Sequence, residues 1–314
     1  MSIKETLKKS DILLYTVRKV RKAREDVKKQ YKMLQVSRNP LQANKELYKR
    51  NHGEYPNLEN PSNFNEKCMW LVHNVYCDNE LVTRCADKYL MRDYVKEKGL
   101  EKLLPELYGV WDKPSQIDWD SLPQQFVMKC NHGCGCNIFC RDKSKLDTKA
   151  AEKKLRHWMC INFANYFGEI NYKNIKKKII AEEFIDDGIN AQPDDYKILC
   201  FNGEPKMHMV CNERAVSAKF MFTDLDYKQY PIDIGHHSGG TLPPKPDNLD
   251  EMVEYARILS QDFPFVRVDF YSVKGKIYIG EMTFSPLGCA IDYINDEGLQ
   301  MMGDWLDISE YKKD

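Results

Sequence analysis

The sequence lacks any hydrophobic run long enough to cross a membrane as a helix. None of its 314 residues lies in a stretch near the ~18 consecutive apolar residues that such a span needs. The opening MSIKETLKKSDILLY is basic, but its apolar run of four residues is too short for the core of a signal peptide. These absences predict a cytoplasmic protein.

Regular cysteine spacing and internal repeats are also missing. The 11 cysteines are odd in number and irregularly spaced, which disfavours a disulfide framework and favours reduced thiols. No repeat or low-complexity segment interrupts the chain, so a solenoid is excluded. With 42% hydrophobic and 30% charged residues, the composition is typical of a globular protein with two or three subdomains.

The net charge of zero conceals an uneven distribution of charge. Residues 1–50 carry 15 Lys and Arg against 5 Asp and Glu, so their net charge is +10 and that of the other residues is −10. Apolar residues from Ile12 to Val20 recur at helical spacing among these bases. The pattern predicts a basic amphipathic helical extension, which either packs on the body as a solvated helix or touches an anionic membrane surface. A nucleic acid partner is not expected, because no reading motif is present.

Beyond this extension the pattern alternates between helices and hairpins. QQFVMKCN reads as a strand that enters a glycine-rich loop, and NIFCRD resumes a strand after it, which predicts a hairpin. Two further hairpins are predicted, one turning at NGEP and one at KGK. Helices are predicted over residues 65–75, 147–162 and 248–263. The order predicts an α+β fold with an antiparallel sheet in each half.

The stretch KCNHGCGCNIFC invites two chemical interpretations and one structural one. Its cysteines are three, one and three residues apart, which does not match the paired spacing of structural zinc sites, so a metal site is disfavoured. Gly133 and Gly135 would let backbone N–H groups approach an anion, and Lys129 would add a positive charge. A phosphate-binding loop and a simple tight turn remain equally open.

A carboxylate pair on the last predicted hairpin is the second candidate site. Asp269 and Glu281 lie on strands joined by SVKGK, and paired carboxylates offer the hard oxygen ligands that Mg²⁺ prefers. Arg267 falls on the same face as Asp269, where it could stabilise a developing oxyanion. A structural Arg–Asp–Glu network is the alternative. The apolar strand IIAEEFI could present its backbone to a nucleobase or be an ordinary buried strand.

These pieces together resemble the ATP-grasp fold. ADKY, the hairpin of Lys129 and the glycine-rich loop, EEFI, DYK and the RVD…GEMT pair occur in the order found in that family, across residues 63–289. NFNEKCMWL, ADKYLMRDYV, KCNHG, DDYKILCFNG and FPFVRVDFY resemble its TupA-like branch, which is named for teichuronopeptide synthesis. The resemblance implies two α+β subdomains that clasp ATP, and a carboxylate–amine ligase that works through an acyl phosphate.

The resemblance also implies roles for particular residues. Nucleotide contacts fall to Lys88, Lys129, Asn131, His132, Gly133, Gly135, Asn137, Glu182, Glu183, Phe184, Ile185, Asp195 and Lys197. Of these, Lys88 and Lys129 contact the phosphates, and residues 131–137 form a lid over them. Residues 182–185 contact the adenine, and Asp195 binds the ribose. Arg214 and Lys219 reach the γ-phosphate or acyl phosphate, and Arg267 steadies the tetrahedral intermediate. Asp269, Glu281 and Thr283 hold Mg²⁺.

One position departs from the usual family pattern. ATP-grasp proteins generally carry Glu-x-Asn at the second metal carboxylate, whereas this chain reads EMT, with Thr283. A hydroxyl is a weaker metal ligand than an amide oxygen, so a second Mg²⁺ would be held less tightly or with help from Ser285. The TupA-like branch often carries this threonine, so we interpret it as a variant of a working site.

The sequence therefore predicts an enzyme of cell-surface polysaccharide synthesis that uses ATP and Mg²⁺ to join a uronic or amino acid to an amine. The predicted units are 1–50, the basic extension; 51–112, a helical region; 113–186, a subdomain with the glycine-rich lid; and 187–314, a subdomain with the metal site. The alternative is a glycosyltransferase that uses a nucleotide sugar, for which Asp224-Leu-Asp226 is the candidate metal motif. His236 and His237, on a predicted second loop, are expected to be exposed.

Overall fold

The computed structural model describes residues 36–188, 193–212 and 217–312, without the side chains of Tyr166 and Phe167. Eight labelled α-helices occur in these ranges: α1 Pro40–His52, α2 Phe64–Leu71, α3 Glu80–Ala86, α4 Met91–Glu97, α5 Thr148–Cys160, α6 Ala164–Phe167, α7 Leu249–Ser260 and α8 Asp296–Trp305. The strands there are β1 Leu107–Trp111, β2 Phe126–Cys130, β3 Asn137–Cys140, β4 Ile179–Glu182, β5 Asp195–Phe201, β6 Glu204–Asn212, β7 Lys219–Thr223, β8 Gln229–Tyr230, β9 Phe265–Val273 and β10 Lys276–Thr283.

The strands form two antiparallel sheets. The smaller has the order β1-β4-β2-β3, and the larger has the order β10-β9-β5-β6-β7-β8. All pairings within both sheets are antiparallel, and each sheet belongs to one half of the described chain. The predicted α+β class with a sheet in each half is confirmed. The predicted unit boundaries stay predictions. Strand β1 of the smaller sheet begins before residue 113, within the predicted helical region 51–112.

Tight turns fix the register of the larger sheet. Asn202 and Gly203 have φ values of 49° and 82° at the β5–β6 turn, and Lys274 and Gly275 have 52° and 77° at the β9–β10 turn. Two consecutive residues with positive φ form the turn that matches the twist of a two-residue hairpin, so both predicted turns are confirmed. This register decides which charged side chains of β5, β9 and β10 become neighbours.

Helix boundaries follow recognisable capping residues. The Asn63 side chain accepts the Glu66 N–H at 3.1 Å to begin α2, and Asp147 accepts the Ala150 N–H at 2.9 Å to begin α5. Helix α2 continues as a π-helix over Val72–Tyr76, which the apolar pattern alone did not predict. Side-chain oxygens at these positions satisfy N–H groups that the helix leaves without a partner.

The core has two parts, one for each sheet. Helix α7 packs on one face of the larger sheet, where the Cys200 thiol approaches the Ala256 carbonyl. At one end of the opposite face, Phe64 of α2 packs against Phe201 and Phe265, with ring centroids 5.9 and 4.8 Å away. A separate cluster around Phe126 and Leu155 fills the space between the smaller sheet and α5. The larger sheet also buries charged side chains, among them Asp195, Lys197 and Asp269.

Two predictions concern the N-terminal region. Residues 1–35, which hold most of the predicted basic helix, lie outside the described residues. Where the description begins, Asn39 caps α1 and Pro40 occupies its first turn. Among the described residues, no helix combines the length and apolar character that crossing a bilayer requires.

Candidate functional site

The larger sheet carries a row of charged side chains on adjacent strands. Glu281 on β10 pairs with Asp269 on β9, and Asp269 pairs with Lys197 on β5. Directly opposed residues point to the same face, so the three side chains converge. The Lys197 ammonium contacts Asp269 and lies 2.5 Å from Asp195 Oδ2. Four of the predicted site residues therefore meet on one face.

Arg267 completes the row and joins its carboxylates. Its guanidinium donates to both oxygens of Asp269, at 2.7 and 2.8 Å. The same Nη2 atom lies 3.0 Å from Thr283 Oγ1 and 3.4 Å from Glu281 Oε1. The structure thus brings together Arg267 and all three predicted metal ligands. Ser285 is buried, and its hydroxyl donates to Asn171 Oδ1 at 2.8 Å.

Lys88 connects this row to the glycine-rich loop. Its Nζ lies 2.9 Å from Glu281 Oε2 and donates to the Gly133 carbonyl at 2.9 Å. In the turn before α4, Asp87 Oδ1 accepts the Tyr89 N–H at 2.8 Å, and this turn carries Lys88. One ammonium group therefore spans from the predicted metal site on the larger sheet to the predicted lid.

The row is electrically balanced as it stands. Lys88, Lys197 and Arg267 provide three positive charges, and Asp195, Asp269 and Glu281 provide three negative charges. Burial alone would raise the pKa of Glu281, but Lys88, Lys197 and Arg267 outweigh it and hold that pKa well below its usual range. Burial would likewise lower the pKa of Lys197, whereas Asp195 and Asp269 raise it overall. Asp269 differs from Glu281, because burial raises its pKa against the lowering effect of Arg267 and Lys197.

A second charged group lies on the smaller sheet. Lys129 Nζ is 2.8 Å from Glu182 Oε2, and Arg92 Nη1 is 2.9 Å from the other oxygen, Glu182 Oε1. Glu182 is buried, at 6% side-chain exposure, while Lys129 is more exposed, at 17%. The structure thus pairs two predicted nucleotide-binding residues with an arginine that was not predicted.

The glycine-rich loop is the turn of the β2–β3 hairpin, as expected. The Asn131 amide is bound to the backbone of the segment before β4, accepting from Lys178 N at 2.6 Å and donating to Lys176 O at 3.0 Å. His132 is buried against Phe163, with ring centroids 5.5 Å apart, and burial lowers its pKa to about 4. Both residues are buried, and the Asn131 backbone is also engaged, with its N–H donating to the Lys178 carbonyl and its carbonyl accepting from the Lys88 N–H.

The two glycines of this loop are needed for different reasons. Gly135 has φ +71°, with open space where a side chain would stand, so its conformation requires glycine. Gly133 has no such φ, but a methyl group there would lie 2.2 Å from the Phe163 ring. Asn137, which begins β3, is paired with Lys129.

The cysteines of the loop do not form a metal site with other side chains. Cys130, Cys136 and Cys140 are buried, whereas Cys134 is exposed. Within the described ranges, no group of three or more His, Cys, Asp or Glu side chains is arranged to hold a metal ion.

The predicted adenine-contacting segment follows β4 and joins the two sheets. The Glu183 N–H donates to the Glu106 carbonyl at 2.9 Å, and Glu183 Oε1 accepts from the Tyr278 hydroxyl of β10 at 3.0 Å. Phe184 is held between the Phe139 ring and the Arg141 guanidinium. Ile185 is half-buried beyond them.

Lys219, a predicted phosphate ligand, is bonded to the second predicted loop. Lys219 donates to the carbonyls of Ser238 and His236, at 2.7 and 3.2 Å, on the second predicted loop. His236 is exposed as expected, but His237 is half-buried and stacks on Phe220 at 4.1 Å. Arg214 lies outside the described residues.

Glu169 is a site residue that sequence reasoning missed. It is half-buried; burial, together with the nearby Glu281, raises its pKa to about 8 against a hydrogen bond from the Gly288 N–H and the charges of Arg267 and Lys88. It lies on the turn after α6, in a stretch with no motif of its own. Arg92, in contrast, stands inside the quoted motif ADKYLMRDYV, four residues after Lys88.

The donor set of the row fits Mg²⁺ bound together with phosphate. Asp269 and Glu281 are direct neighbours, Thr283 adds a hydroxyl, and all three supply hard oxygen atoms. Two carboxylates and one hydroxyl do not complete an octahedral shell. The remaining ligands would come from water and from a nucleotide, which is how Mg²⁺ is usually shared in phosphoryl-transfer sites.

Comparison with known proteins identifies the family. The model of the TupA-like ATP-grasp family matches residues 66–307. The chain therefore belongs to the TupA-like ATP-grasp family, which confirms the recognised family and the fold. A comparison with curated proteins gives no match.

Several solved structures are similar in fold. A D-alanine–D-alanine ligase from Bacillus anthracis complexed with ATP is 15% identical, with a TM-score of 0.40, over 64% of this chain and 55% of its own. The Helicobacter pylori D-alanine–D-alanine ligase is 18% identical, with a TM-score of 0.40, over 71% and 61%. An L-amino acid ligase from Bacillus licheniformis is 14% identical, with a TM-score of 0.45, over 80% and 58%. The chain thus spans less than two thirds of each of these proteins, and the likenesses add no information on substrates.

Proposed function

We propose that this protein is an ATP- and Mg²⁺-dependent carboxylate–amine ligase that works through an acyl phosphate. The single observation that carries the proposal is the row formed by Lys197, Asp269, Glu281 and Arg267, which Lys88 links to the glycine-rich loop. Membership of the TupA-like ATP-grasp family supports the same reaction class.

The row suits the meeting of two anions. The substrate carboxylate attacks the γ-phosphorus of ATP, the bond from phosphorus to the β-bridging oxygen breaks, and ADP leaves with that electron pair. Lys88 and Lys129 reduce the repulsion between the triphosphate and the carboxylate. Mg²⁺, held by Asp269 and Glu281, would supply Lewis-acid stabilisation of the phosphate charge.

The second half of the reaction needs an oxyanion partner and a proton acceptor. When the amine attacks the acyl phosphate, negative charge develops on the carbonyl oxygen, and Arg267 stands beside the row to stabilise it. Phosphate then leaves with the electrons of the C–O bond, and an amine proton must go to a base. We propose Glu169 as this base, because its pKa, raised to about 8, suits it to accept a proton near neutral pH.

The carboxylate substrate is proposed to be a uronic acid or an amino acid, within synthesis or decoration of a bacterial surface polysaccharide. This finer assignment follows from the TupA-like family alone. The enzyme is proposed to act in the cytoplasm, and membrane contact through residues 1–50 is the variant that the basic charge of that region supports.

The glycosyltransferase alternative is disfavoured by the local geometry of its candidate motif. Asp224 closes the turn between β7 and β8, where its Oδ1 accepts the Lys228 N–H at 2.8 Å and its own N–H donates to the Lys228 carbonyl at 2.9 Å. Such a turn engages the first carboxylate in holding the backbone.

An isotope experiment tests the proposed reaction. Purified protein is given ATP, Mg²⁺, hydroxylamine and a panel of ¹⁸O-labelled uronic and amino acids. We expect ADP, a hydroxamate and phosphate that carries one ¹⁸O atom from the carboxylate. Turnover of a UDP-sugar without ATP consumption would contradict the proposal, as would ADP release that no carboxylate stimulates.

A matched pair of variants locates the reaction in the charged row. Asp269→Asn removes a proposed metal ligand and should abolish hydroxamate formation. Asp262→Asn changes an exposed aspartate that pairs with Lys98 at 2.7 Å outside the row, and it should leave the rate unchanged.

A further inference from the structure

Arg92 is a buried arginine that none of the expected roles includes. It lies on the first turn of α4, with 8% of its surface exposed. A buried guanidinium is costly unless its charge is paired and its N–H groups are bound. Its partners therefore indicate what it does.

Both arms of the guanidinium are engaged. Nη1 lies 2.9 Å from Glu182 Oε1, and Nη2 donates to the Pro105 carbonyl at 2.8 Å. The second oxygen of the same carboxylate, Oε2, lies 2.8 Å from Lys129 Nζ. Glu182 is thus shared between two cations, the buried Arg92 and the more exposed Lys129.

The charges of this trio do not cancel. Arg92 and Lys129 contribute two positive charges and Glu182 one negative charge, so the trio has a net charge of +1. Without Arg92, Lys129 and Glu182 would form a neutral pair, whose ammonium would attract a phosphate much less strongly. With Arg92, half of the carboxylate is already committed, and Lys129 keeps positive charge for an incoming anion.

We propose that Arg92 is a positioning residue for nucleotide binding. By binding one oxygen of Glu182, it keeps that carboxylate from fully compensating the positive charge of Lys129. It does not itself touch the nucleotide, because its two arms are occupied within the protein. The inference rests on the proposed function, in which Lys129 meets the phosphates of ATP. The segment ADKYLMR would then contribute to both sheets. Lys88 contacts the charged row of the larger sheet, and Arg92 acts on Lys129 of the smaller sheet.

A purely structural role for Arg92 makes a different prediction. If the arginine only holds α4 against β4, its removal should loosen the whole site and weaken every ligand equally. If it keeps the charge of Lys129 from being fully compensated by Glu182, its removal should lower the affinity for ligands that carry phosphates and leave the affinity for other ligands unchanged. The ratio of ATP affinity to adenosine affinity separates the two.

The experiment measures that ratio in the full-length protein. ATP binding is followed by calorimetry and adenosine binding by saturation-transfer NMR. Arg92→Met should lower the ATP-to-adenosine ratio by about tenfold or more. Arg92→Lys keeps the charge and should lose much less. Arg92→Met combined with Glu182→Gln restores the net charge of +1 at these three positions. This double variant should return the ratio to within a few-fold of the original.

A further variant and a control guard against misfolding. Glu182→Gln alone keeps Arg92, removes the only anion of the trio and should raise the ratio, which tests the idea without deleting the buried arginine. Arg84→Met breaks an exposed pair with Glu97 and changes the net charge by the same amount. That control should leave the ratio unchanged.

The outcomes discriminate among the hypotheses. Equal losses of ATP and adenosine affinity in Arg92→Met, or no recovery of the ratio in the double variant, would overturn the inference. If the unmodified protein binds no ATP, the proposed function fails first. If it binds ATP and Lys129→Ala reduces that binding while Arg92→Met does not, only the inference is lost.

Discussion

At the scale of single residues, buried groups link stability to pH. His208 on β6 is fully buried, and its Nδ1 lies 2.9 Å from the Asp224 carbonyl and 3.0 Å from Thr223 Oγ1. Its Nε2 atom has no hydrogen-bond partner among the described residues. Burial therefore lowers the pKa of His208 from 6.5 to about 4, because a second proton would be stranded.

The direction of the pH effect follows from this shift. Between pH 6.5 and about 4 the unfolded chain binds a proton at His208 that the folded protein does not. The stabilising contribution is therefore present above pH 6.5 and is lost as the pH falls toward 4. We expect a loss of about 2 kcal/mol of unfolding free energy at pH 5 from this residue. Urea denaturation of the parent and His208→Gln at pH 7 and pH 5 should show a smaller pH effect in the variant. An identical pH effect in both would contradict the assignment.

At the scale of elements, the β2–β3 hairpin depends on two glycines in two ways. Gly133→Ala places a methyl group against the Phe163 ring and should cost about 1–3 kcal/mol through overpacking. Gly135→Ala faces open space and should cost about 1–2 kcal/mol through its positive φ alone. Urea denaturation of both variants measures these costs.

A double variant separates the two causes. Phe163→Leu trims the ring that Gly133→Ala strikes, so it should restore much of the stability lost at that position. The same change should not help Gly135→Ala. Equal rescue of both variants would show that the ring contact is not the reason for glycine at position 133.

The same hairpin shows how far sequence reasoning reached. The two strands and the loop between them were predictable because apolar runs flank a glycine-rich turn. The charged residues of the row were predictable because they lie in recognisable motifs. The burial of the Asn131 and His132 side chains was not, since it depends on contacts with residues 31 to 47 positions further along the chain. Arg92 and Glu169 were missed for the same reason. Their roles depend on partners that only the folded chain brings within reach.

At the scale of the whole molecule, a polar contact near the site joins the two sheets. The Tyr278 hydroxyl of the larger sheet donates to Glu183 Oε1, in the segment that leaves the smaller sheet, at 3.0 Å. Tyr278→Phe removes this link and should lower the unfolding free energy by about 1 kcal/mol. It should also accelerate amide hydrogen exchange in residues 183–188, because that segment loses its anchor to β10.

A matched tyrosine provides the control for this prediction. Tyr255 donates to Glu251 at 3.0 Å within the single helix α7, so Tyr255→Phe removes a similar bond without touching the connection between sheets. Exchange in residues 183–188 should stay unchanged in that variant. Equal acceleration in both variants, or in neither, would contradict a linking role for Tyr278.

The balanced row of charges also governs the order in which ligands arrive. Lys88, Lys197 and Arg267 already neutralise the carboxylates that would hold Mg²⁺, so a bare ion must compete with three tethered ammonium and guanidinium groups. A nucleotide brings four negative charges of its own, which offer these cations new partners as they release the carboxylates. The protein should therefore ignore free Mg²⁺ across ordinary cellular fluctuations and respond to the metal–nucleotide complex, so that its working state follows the supply of ATP.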